Sequence, residues 1–221
     1  MKAVIVANGK PADPDADRQQ VPPGALVIAA DGGADYCRRL GIVPDVIIGD
    51  MDSIDREPAE TRDFENTQII RHPARKDATD LELAVHLAIE RGAGSLIILG
   101  ALGGRWDMSL GSLFLPALPE LAGIPVTLVD GRQEIVLLTG KTTAAFSGKP
   151  GDTFSLIPID ENVSGVTLEG LEYPIANDTL AFGSSRGISN VLQTDKATVS
   201  MESGTLICVL IHGSGCQAKG V

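Results

Sequence analysis

The sequence lacks several features that would assign it to a common class of protein. It has only 18 Lys and Arg residues against 29 Asp and Glu, which gives a formal charge of −11 and a pI near 4.6. A nucleic-acid binder is excluded on this ground, because neutralising phosphates takes a surplus of basic side chains on one face. The apolar runs, such as Leu96–Leu102, are far shorter than the roughly 20 residues of a membrane helix, so no membrane span is expected.

Processing signals and paired cysteines are also missing. The apolar stretch Ala3–Ala7 stops at Asn8-Gly9 and is shorter than the core of about 7 to 15 residues in a signal peptide, which predicts a cytoplasmic protein. Cys37, Cys208 and Cys216 form no CxxC pair, so neither a disulfide framework nor a zinc site is indicated. With 43% hydrophobic and 21% charged residues the chain has a globular composition, and disorder is excluded as its main description.

Up to Gly131 the sequence alternates apolar, β-branched runs with helix-like segments. The runs are Lys2–Ala7, Ala25–Ala30, Asp45–Ile48, Gln68–Arg71, Ser95–Leu102 and Pro125–Val129. They are nearly continuous, as expected for parallel strands that are covered on both faces. The clearest helix is predicted over about Asp77–Arg91, with Gly92 as its stop. Residues 1–131 are therefore predicted to form an α/β domain with a mostly parallel sheet.

Beyond Gly131 the pattern changes to short apolar runs broken by Gly, Pro, Asn and Asp. The runs are Glu134–Leu138, Thr153–Pro158, Gly165–Leu168, Ala197–Met201 and Thr205–Ile211. Short strands with frequent turn residues are typical of an all-β unit. Residues 132–221 are predicted to form a second domain, most simply a small β-sandwich.

Acidic residues and glycines follow three of the predicted strands. The segments are Asp31-Gly32-Gly33-Ala34, Gly49-Asp50-Met51-Asp52-Ser53 and Gly103-Gly104-Arg105-Trp106-Asp107. In open parallel sheets, ligands bind at the carboxyl ends of the strands. These segments are therefore the first candidates for a functional site.

The carboxylates have two interpretations. Asp50 and Asp52 are two residues apart and project to the same side of an extended chain, where a divalent cation such as Mg²⁺ would relieve their repulsion. An Asx turn or a helix N-cap explains the same pair equally well. Asp77 and Asp80 share one face of the first turn of the predicted helix, where capping is favoured over metal binding if the pair is taken alone. If Asp31 lies at the same edge of the sheet, however, the concentration of negative charge would destabilise the fold without a cation.

Glycines and basic residues near these acids fit a phosphate ligand, although each also has a structural explanation. Gly32, Gly33, Gly103 and Gly104 let backbone N–H groups approach a phosphate, and a helix starting just after each pair would add its positive end. Neither pair forms a GxGxxG or P-loop motif. The only dense basic cluster, Arg71, His72, Arg75 and Lys76, is either a solvated loop or a grip for a polyphosphate. Trp106, the only tryptophan, is predicted either to pack in the core or to stack on a ligand ring.

The motifs together resemble the thiamine pyrophosphokinase family. In the first domain the resemblance includes the three segments above, Pro44-Asp45 and Asp77-Ala78-Thr79-Asp80-Leu81-Glu82. In the second domain it continues through Ser155-Leu156-Ile157-Pro158, Gly165–Pro174 and Gly187-Ile188-Ser189-Asn190, in the same order as in the family. The similarity covers nearly the whole chain.

The resemblance implies a Rossmann-like α/β domain followed by a β-sandwich, a homodimer, and Mg²⁺-dependent transfer of a pyrophosphoryl group from ATP to thiamine, releasing AMP. Asp50, Asp52 and Asp80 would be the Mg²⁺ ligands, and the thiamine pocket would lie between the α/β domain of one subunit and the β domain of the other. The residues predicted to be catalytic are Asp31, Asp50, Asp52, Asp77, Asp80 and Arg105. Those predicted to bind substrates are Gly32, Gly33, Lys76, Thr79, Gly103, Gly104, Asp107, Ser189 and Asn190. Either Asp77 or Asp31 would accept the hydroxyl proton.

The sequence departs from the family pattern at Met108, where His is common in bacterial members, and at Ser112, where Asn is usual. Both departures concern the acceptor more than the donor chemistry. Two alternatives stay open. A related Mg²⁺-dependent enzyme, such as a pyrophosphokinase for a hydroxymethylpterin or a phosphoesterase, would keep the acidic rim, and a nucleotide or thiamine sensor would bind without turnover.

Overall fold

The computed structural model describes residues 1–52, 62–73 and 77–213, and every structural statement below concerns these residues. The chain divides into two compact units, Met1–Gly131 and Arg132–Val221. The first is a mixed α/β unit and the second is built from antiparallel strands. None of the helices in the described ranges has the length and apolar character needed to span a bilayer.

The first unit is built around six strands whose pairings are all parallel. They are β1 (Lys2–Val6), β2 (Leu26–Ala30), β3 (Val46–Gly49), β4 (Gln68–Arg71), β5 (Ser95–Leu99) and β6 (Val126–Asp130). Their order across the sheet is β6-β5-β1-β2-β3-β4. All six apolar runs of the sequence are thus strands, although β5 ends at Leu99 rather than continuing to Leu102.

Four helices connect these strands. They are α1 (Pro14–Gln19), α2 (Gly33–Leu40), α3 (Asp80–Glu90) and α4 (Trp106–Phe114). Short 3₁₀ turns occur at Arg62–Phe64, Leu115–Ala117 and Pro119–Leu121. The apolar stripe of α3, which includes Ala84, Val85 and Ala88, is fully buried, and this helix contacts β1, β2 and β3. Because Ala3 to Val6 are also completely buried, the central strand is covered on both faces, as its continuous apolar sequence predicts.

The start of α3 differs from the sequence-based prediction. Thr79 is the N-cap, and its hydroxyl oxygen accepts a hydrogen bond of 3.2 Å from the Glu82 N–H. The first helical residue is Asp80, so Asp77 lies before the helix and does not share its first turn. The prediction of a start at Asp77 was wrong because a Thr hydroxyl satisfies the first free N–H groups as well as Asp does.

A buried carboxylate fixes α1 to the rest of the first unit. Asp17 is completely buried and accepts hydrogen bonds from the Tyr36 hydroxyl (2.5 Å) and the Gly131 N–H (2.7 Å). Burial raises the pKa of Asp17, and the hydrogen bonds partly offset that effect. These contacts connect α1 with α2 and with the end of β6. They therefore fix the position of the segment that follows β1 at one edge of the sheet.

The described strands of the second unit pair in antiparallel fashion, and four of them belong to each of two sheets. Its strands are β7 (Gln133–Thr139), β8 (Thr142–Ser147), β9 (Thr153–Pro158), β10 (Asn162–Glu169), β11 (Ile175–Ala181), β12 (Asn190–Val191), β13 (Lys196–Met201) and β14 (Thr205–Ile211). One sheet has the order β12-β9-β14-β7 and the other β11-β10-β13-β8. A single hydrophobic core contains buried side chains from both sheets, including Phe154 and Cys208 from the first and Val166 and Val199 from the second.

An ion-paired histidine lies at the end of the last strand of this unit. His212, just after β14, lies 3.2 Å from Asp152 Oδ2 through Nδ1 and 3.0 Å from Glu134 Oε1 through Nε2. The Asp152 carboxylate also accepts hydrogen bonds from the N–H groups of Gly213 (2.9 Å) and Lys149 (2.8 Å). Burial alone would lower the pKa of His212, but the hydrogen bonds and charges of Glu134 and Asp152 outweigh burial and raise it.

Candidate active site at the carboxyl ends of the strands

Strand β1 is the point where the order of the parallel sheet reverses. The chain proceeds from β1 to β2, β3 and β4 on one side, whereas β5 and β6 lie on the other side. Ligands of open α/β sheets bind in the crevice outside the carboxyl ends of strands at such a switch point. The segments that leave β1, β2, β3 and β5 are therefore the first places to look for a site.

Three carboxylates meet at this edge. Asp31, Asp50 and Asp52 each place one carboxylate oxygen within 4.8 Å of the others. Asp31 follows β2 and the other two follow β3, and the Asp31 N–H extends the pairing of these strands by a hydrogen bond of 2.8 Å to Ile48 O. Parallel pairing of β2 with β3 thus brings together acids that are 19 or more positions apart in the sequence.

The backbone of this group has an unusual conformation. Asp31 and Met51 have φ angles of 48° and 69°, in the left-handed region that non-glycine residues rarely occupy. Strained residues of this kind concentrate at functional sites. Asp50 makes the Asx turn that its sequence predicts, because its Oδ1 accepts a hydrogen bond of 3.2 Å from the Asp52 N–H. The structural and the functional interpretations of Asp50 are therefore compatible.

Asp80 lies beside this group and not within it. A Cβ atom built on Gly49 would lie 3.0 Å from Asp80 Oδ1 and 3.0 Å from Asp31 Cβ, so the end of β3 passes closely between the two acids. Asp77 is exposed and precedes α3. Of the predicted metal ligands, Asp50 and Asp52 lie together with Asp31. Asp80 lies next to the backbone at the end of β3.

The donor set fits a hard divalent cation. Mg²⁺ prefers carboxylate oxygens at about 2.1 Å in octahedral geometry, so neighbouring ligands lie about 3 Å apart and opposite ligands about 4.2 Å apart. Oxygens that lie within 4.8 Å of one another need only a small adjustment to reach this spacing. Asp31 is 8% exposed, Asp50 is half-buried and Asp52 is exposed, so the group opens to solvent on one side. It could hold an ion that keeps waters or substrate oxygens as further ligands.

The two glycine pairs have different structural roles. The first pair was predicted to precede a helix, but α2 begins within the pair, at Gly33, with Gly32 as its N-cap. A side chain at Gly33 would overlap the carbonyl oxygen of Val6, so glycine is required there by the contact between α2 and β1. Gly103 and Gly104 have φ angles of 82° and 76° and precede α4. The first pair is thus partly explained by packing and the second by backbone conformation.

Arg105 is bound to Asp107. Its Nε and NH2 groups donate to the two carboxylate oxygens at 3.1 and 2.5 Å, and both side chains are mostly exposed. The Arg105 guanidinium lowers the pKa of Asp107. Trp106, which lies between them, is 81% exposed, so the alternative that it packs in the core is wrong.

The predicted basic cluster is only partly described. Arg71 is the last residue of β4 and pairs in register with Gly49, and the His72 N–H donates a hydrogen bond of 2.9 Å to Gly49 O. Both residues therefore lie at the strand edge that carries Asp50. Arg75 and Lys76 lie outside the described residues, as does Ser53.

Met108 and Ser112 lie on α4 as predicted but in different surroundings. Met108 is 45% exposed, whereas Ser112 is 7% exposed and its hydroxyl donates a hydrogen bond of 2.8 Å to Met108 O. Ser112 therefore faces the interior and bonds to its own helix. Met108 is the one of the two that is accessible to a ligand.

In the second unit, Asn190 has a structural role. It is 3% exposed, its amide donates to Tyr173 O at 2.7 Å, and its oxygen accepts from the Tyr173 N–H at 3.0 Å. These bonds fix the position of Tyr173, which is 65% exposed. Ser189 has a φ of 58°, and its N–H donates to Ser155 Oγ at 3.0 Å. The exposure of Tyr173 could not be inferred from its place in the motif.

Comparison with known proteins agrees with this description. Residues 20–127 match the model of the thiamin pyrophosphokinase catalytic domain, and residues 144–206 match that of the thiamin pyrophosphokinase vitamin B1 binding domain. Both models that match the chain thus describe parts of one class of enzyme.

The full-length relatives give the same result. Thiamine pyrophosphokinase of Bacillus subtilis is 32% identical over 83% of this chain and 86% of its own length, and thiamine pyrophosphokinase 2 of Arabidopsis thaliana is 31% identical over 88% and 81%. The crystal structure of the Bacillus subtilis enzyme superimposes with a TM-score of 0.83 at 28% identity, covering 96% of this chain and all of that one. The chain belongs to the thiamine pyrophosphokinase family.

Proposed function

We propose that this protein transfers the pyrophosphoryl group of ATP to the hydroxyl group of thiamine, giving thiamine diphosphate and AMP. The observation that carries the proposal is the group formed by Asp31, Asp50 and Asp52 at the strand ends of a chain in this family. The thiamine oxygen would attack the β-phosphorus, the bond between this phosphorus and the α–β bridging oxygen would break, and AMP would leave with that oxygen.

Such a transfer requires little covalent catalysis by the protein. It depends on alignment of the two substrates and on neutralisation of the phosphate charge. Asp50 and Asp52, with Asp31 or Asp80, would hold Mg²⁺, which when bound offsets negative charge on phosphate oxygens. The hydroxyl proton needs a carboxylate acceptor, and Asp31 and Asp77 are the two candidates. Arg71 and His72 lie at the same edge of the sheet and add positive charge near the acids.

The two units would bind different substrates. We assign the nucleotide and the metal to a Rossmann-like domain over residues 1–131, on the grounds of its parallel strands and the reversal of strand order at β1. Residues 132–221 would form a β-sandwich that binds thiamine and takes part in dimerisation. Support for this comes from the vitamin B1 binding model that matches residues 144–206 and from the core shared by the two sheets. The cytoplasmic location expected from the sequence stays a prediction.

We also propose a homodimer. Helix α4 exposes large apolar side chains, with Trp106 at 81%, Leu110 at 46% and Phe114 at 41%, whereas its buried positions are Ser109 and Ser112. This is the reverse of the pattern on a solvated helix, and exposed apolar surface of this kind marks interaction sites. Light scattering at micromolar concentration is expected to give twice the chain mass of 23.1 kDa. A monomer mass in a preparation that turns over would exclude the dimer.

Product analysis tests the reaction itself. Incubation with ATP, thiamine and Mg²⁺, followed by chromatography, is expected to give AMP and thiamine diphosphate in equal amounts and neither of them without a divalent cation. ADP in place of AMP would contradict pyrophosphoryl transfer, and orthophosphate would indicate hydrolysis. Binding of thiamine and ATP without any product would indicate a sensor.

A further inference from the structure

The segment that leaves β1 is fixed to the segment that leaves β5. The N–H groups of Ala7, Gly9 and Lys10 donate hydrogen bonds to the carbonyl oxygens of Leu99 (2.8 Å), Gly100 (2.5 Å) and Leu102 (3.0 Å). The pairing of the two strands therefore continues beyond their ends. As a result, the backbone of Lys10 has a defined position at the carboxyl edge of the sheet.

The side chain of Lys10 runs along Gly103 and Gly104. A Cβ atom built on Gly103 would lie 2.7 Å from Lys10 O and 3.2 Å from Lys10 Cβ, so no larger residue fits there without a shift. A Cβ atom built on Gly104 would lie between 3.8 and 4.0 Å from Lys10 Cγ, Cδ and Cε. The aliphatic part of the Lys10 side chain thus passes from Gly103 towards Gly104. The ammonium group at its end lies near the residues just before α4.

The charge of Lys10 is available to a ligand. Lys10 is exposed, and none of the ion pairs among the described residues involves it. The neighbouring Arg105 is instead bound through two hydrogen bonds to Asp107. Lys10 therefore supplies a positive charge on the β5 side of the switch point.

The acidic group lies on the other side of β1. Asp31 follows β2, which is the other neighbour of β1, and α2 begins against the end of β1 because Gly33 touches the Val6 carbonyl. A ligand at the end of β1 would therefore have carboxylates on one side and an ammonium group on the other. A metal-bound polyphosphate requires this pairing, since the cation is held by acids and the remaining phosphate charge needs a donor of positive charge.

We propose that Lys10 is a substrate-binding residue that contacts a phosphate group of the nucleotide. The proposal rests on the proposed function for the identity of the nucleotide, but it concerns binding and not the acceptor. The ammonium group would donate hydrogen bonds to phosphate oxygens that the metal does not contact.

The test compares Lys10→Met, which keeps the stem and removes the charge, with Lys10→Arg, which keeps a charge. Lys2→Met is the matched control, because Lys2 lies at the amino end of the same strand. Titration calorimetry with ATP and Mg²⁺, in the absence of thiamine, is expected to show about tenfold weaker binding by Lys10→Met. Lys10→Arg is expected to stay within about threefold of the wild type, and Lys2→Met should bind as the wild type does. Adenosine, which lacks phosphate, should bind equally to all four proteins.

The proposal would be overturned by unchanged ATP affinity in Lys10→Met, by an equal loss for adenosine, or by an equal loss in Lys2→Met. The proposed function fails separately, if the wild type binds ATP but yields no thiamine diphosphate. In that case a selective loss of ATP affinity in Lys10→Met would still support the phosphate contact. A wild type that binds no ATP would overturn both. Circular dichroism of each variant reports whether it folds.

Discussion

Asp152 in the second unit and the acidic group in the first unit are opposite arrangements of carboxylates. In the second unit, Asp152 faces an imidazole and two backbone N–H groups, so its charge is matched within the fold. In the first unit, Asp31, Asp50 and Asp52 face one another within 4.8 Å, and like charges so close oppose folding. The first arrangement stabilises the chain, whereas the second places like charges together, as a cation-binding site does. Burial does not distinguish the two arrangements, since Asp31 and Asp152 are similarly buried.

The largest expected effect is that of Asp52→Asn on turnover. Removing one carboxylate from the acidic group should lower turnover by about a hundredfold, which corresponds to roughly 3 kcal/mol of transition-state stabilisation. The free energy of unfolding should stay close to that of the wild type, because Asn keeps the shape of the side chain. Steady-state kinetics and urea denaturation measure the two quantities. Near-normal turnover would remove Asp52 from the site.

Asp152→Asn should show the opposite behaviour. The amide places an NH₂ group or a single oxygen where the carboxylate accepts bonds from Gly213 and Lys149, so the free energy of unfolding should fall by about 2 to 3 kcal/mol. Turnover of the folded fraction should remain within about twofold. Urea denaturation at pH 7 tests the first statement. A stable variant with low turnover would contradict the distinction between the two kinds of carboxylate.

The His212 contacts predict a pH-dependent stability. Because the folded-state pKa of His212 is raised, its contribution is complete below the ordinary histidine pKa of about 6.5 and is lost as the pH rises through the folded value. The pKa of Asp152 is lowered, since its hydrogen bonds outweigh the effect of burial, so its contribution persists until the pH falls below the ordinary range of Asp. The stability difference between wild type and His212→Gln should therefore be largest between about pH 4 and 6.5, at roughly 1 kcal/mol, because solvent screens the partly exposed pair.

Urea denaturation at several pH values measures this difference. It should decrease steadily from pH 6 to pH 8. A difference that is constant over this range would show that His212 contributes through packing and not through its charge.

The smallest expected effect concerns Met108. Met108→His restores the family pattern at an accessible position and should lower the Michaelis constant for thiamine by three- to tenfold, or about 1 kcal/mol, while that for ATP is unchanged. Ser112→Asn should instead reduce stability, because Ser112 is buried and bonded to Met108 O. Kinetics of the two single variants test this division. An unchanged Michaelis constant for thiamine in Met108→His would show that this position does not contact the acceptor.

Much of the fold could be predicted because its signals are local. Continuous apolar runs predicted all six parallel strands, and turn residues after Gly131 predicted the change to an all-β unit. Strands β8, β11 and β12 were not predicted, and in β11 the reason is that Asn177 and Asp178 interrupt the apolar pattern. The start of α3 was misplaced because Thr79 competes with Asp77 as the cap.

The site could be predicted only in part, because its arrangement depends on strand pairing. Asp50 and Asp52 are close in sequence, but Asp31 joins them through the pairing of β2 with β3. Lys10 meets Gly103 through hydrogen bonds between segments about ninety positions apart. His212 and Asp152 are likewise far apart in the sequence and are brought into contact by the fold. No periodicity or short motif contains such contacts.

Calorimetric titration with Mg²⁺, without nucleotide, tests most directly whether the mutually repelling carboxylates form a cation site. The wild type and Asp152→Asn are expected to bind Mg²⁺ with equal affinity, and Asp52→Asn is expected to bind it at least tenfold more weakly. Equal binding by Asp52→Asn and the wild type, or a loss in Asp152→Asn alone, would contradict the assignment of Asp31, Asp50 and Asp52 as a metal site.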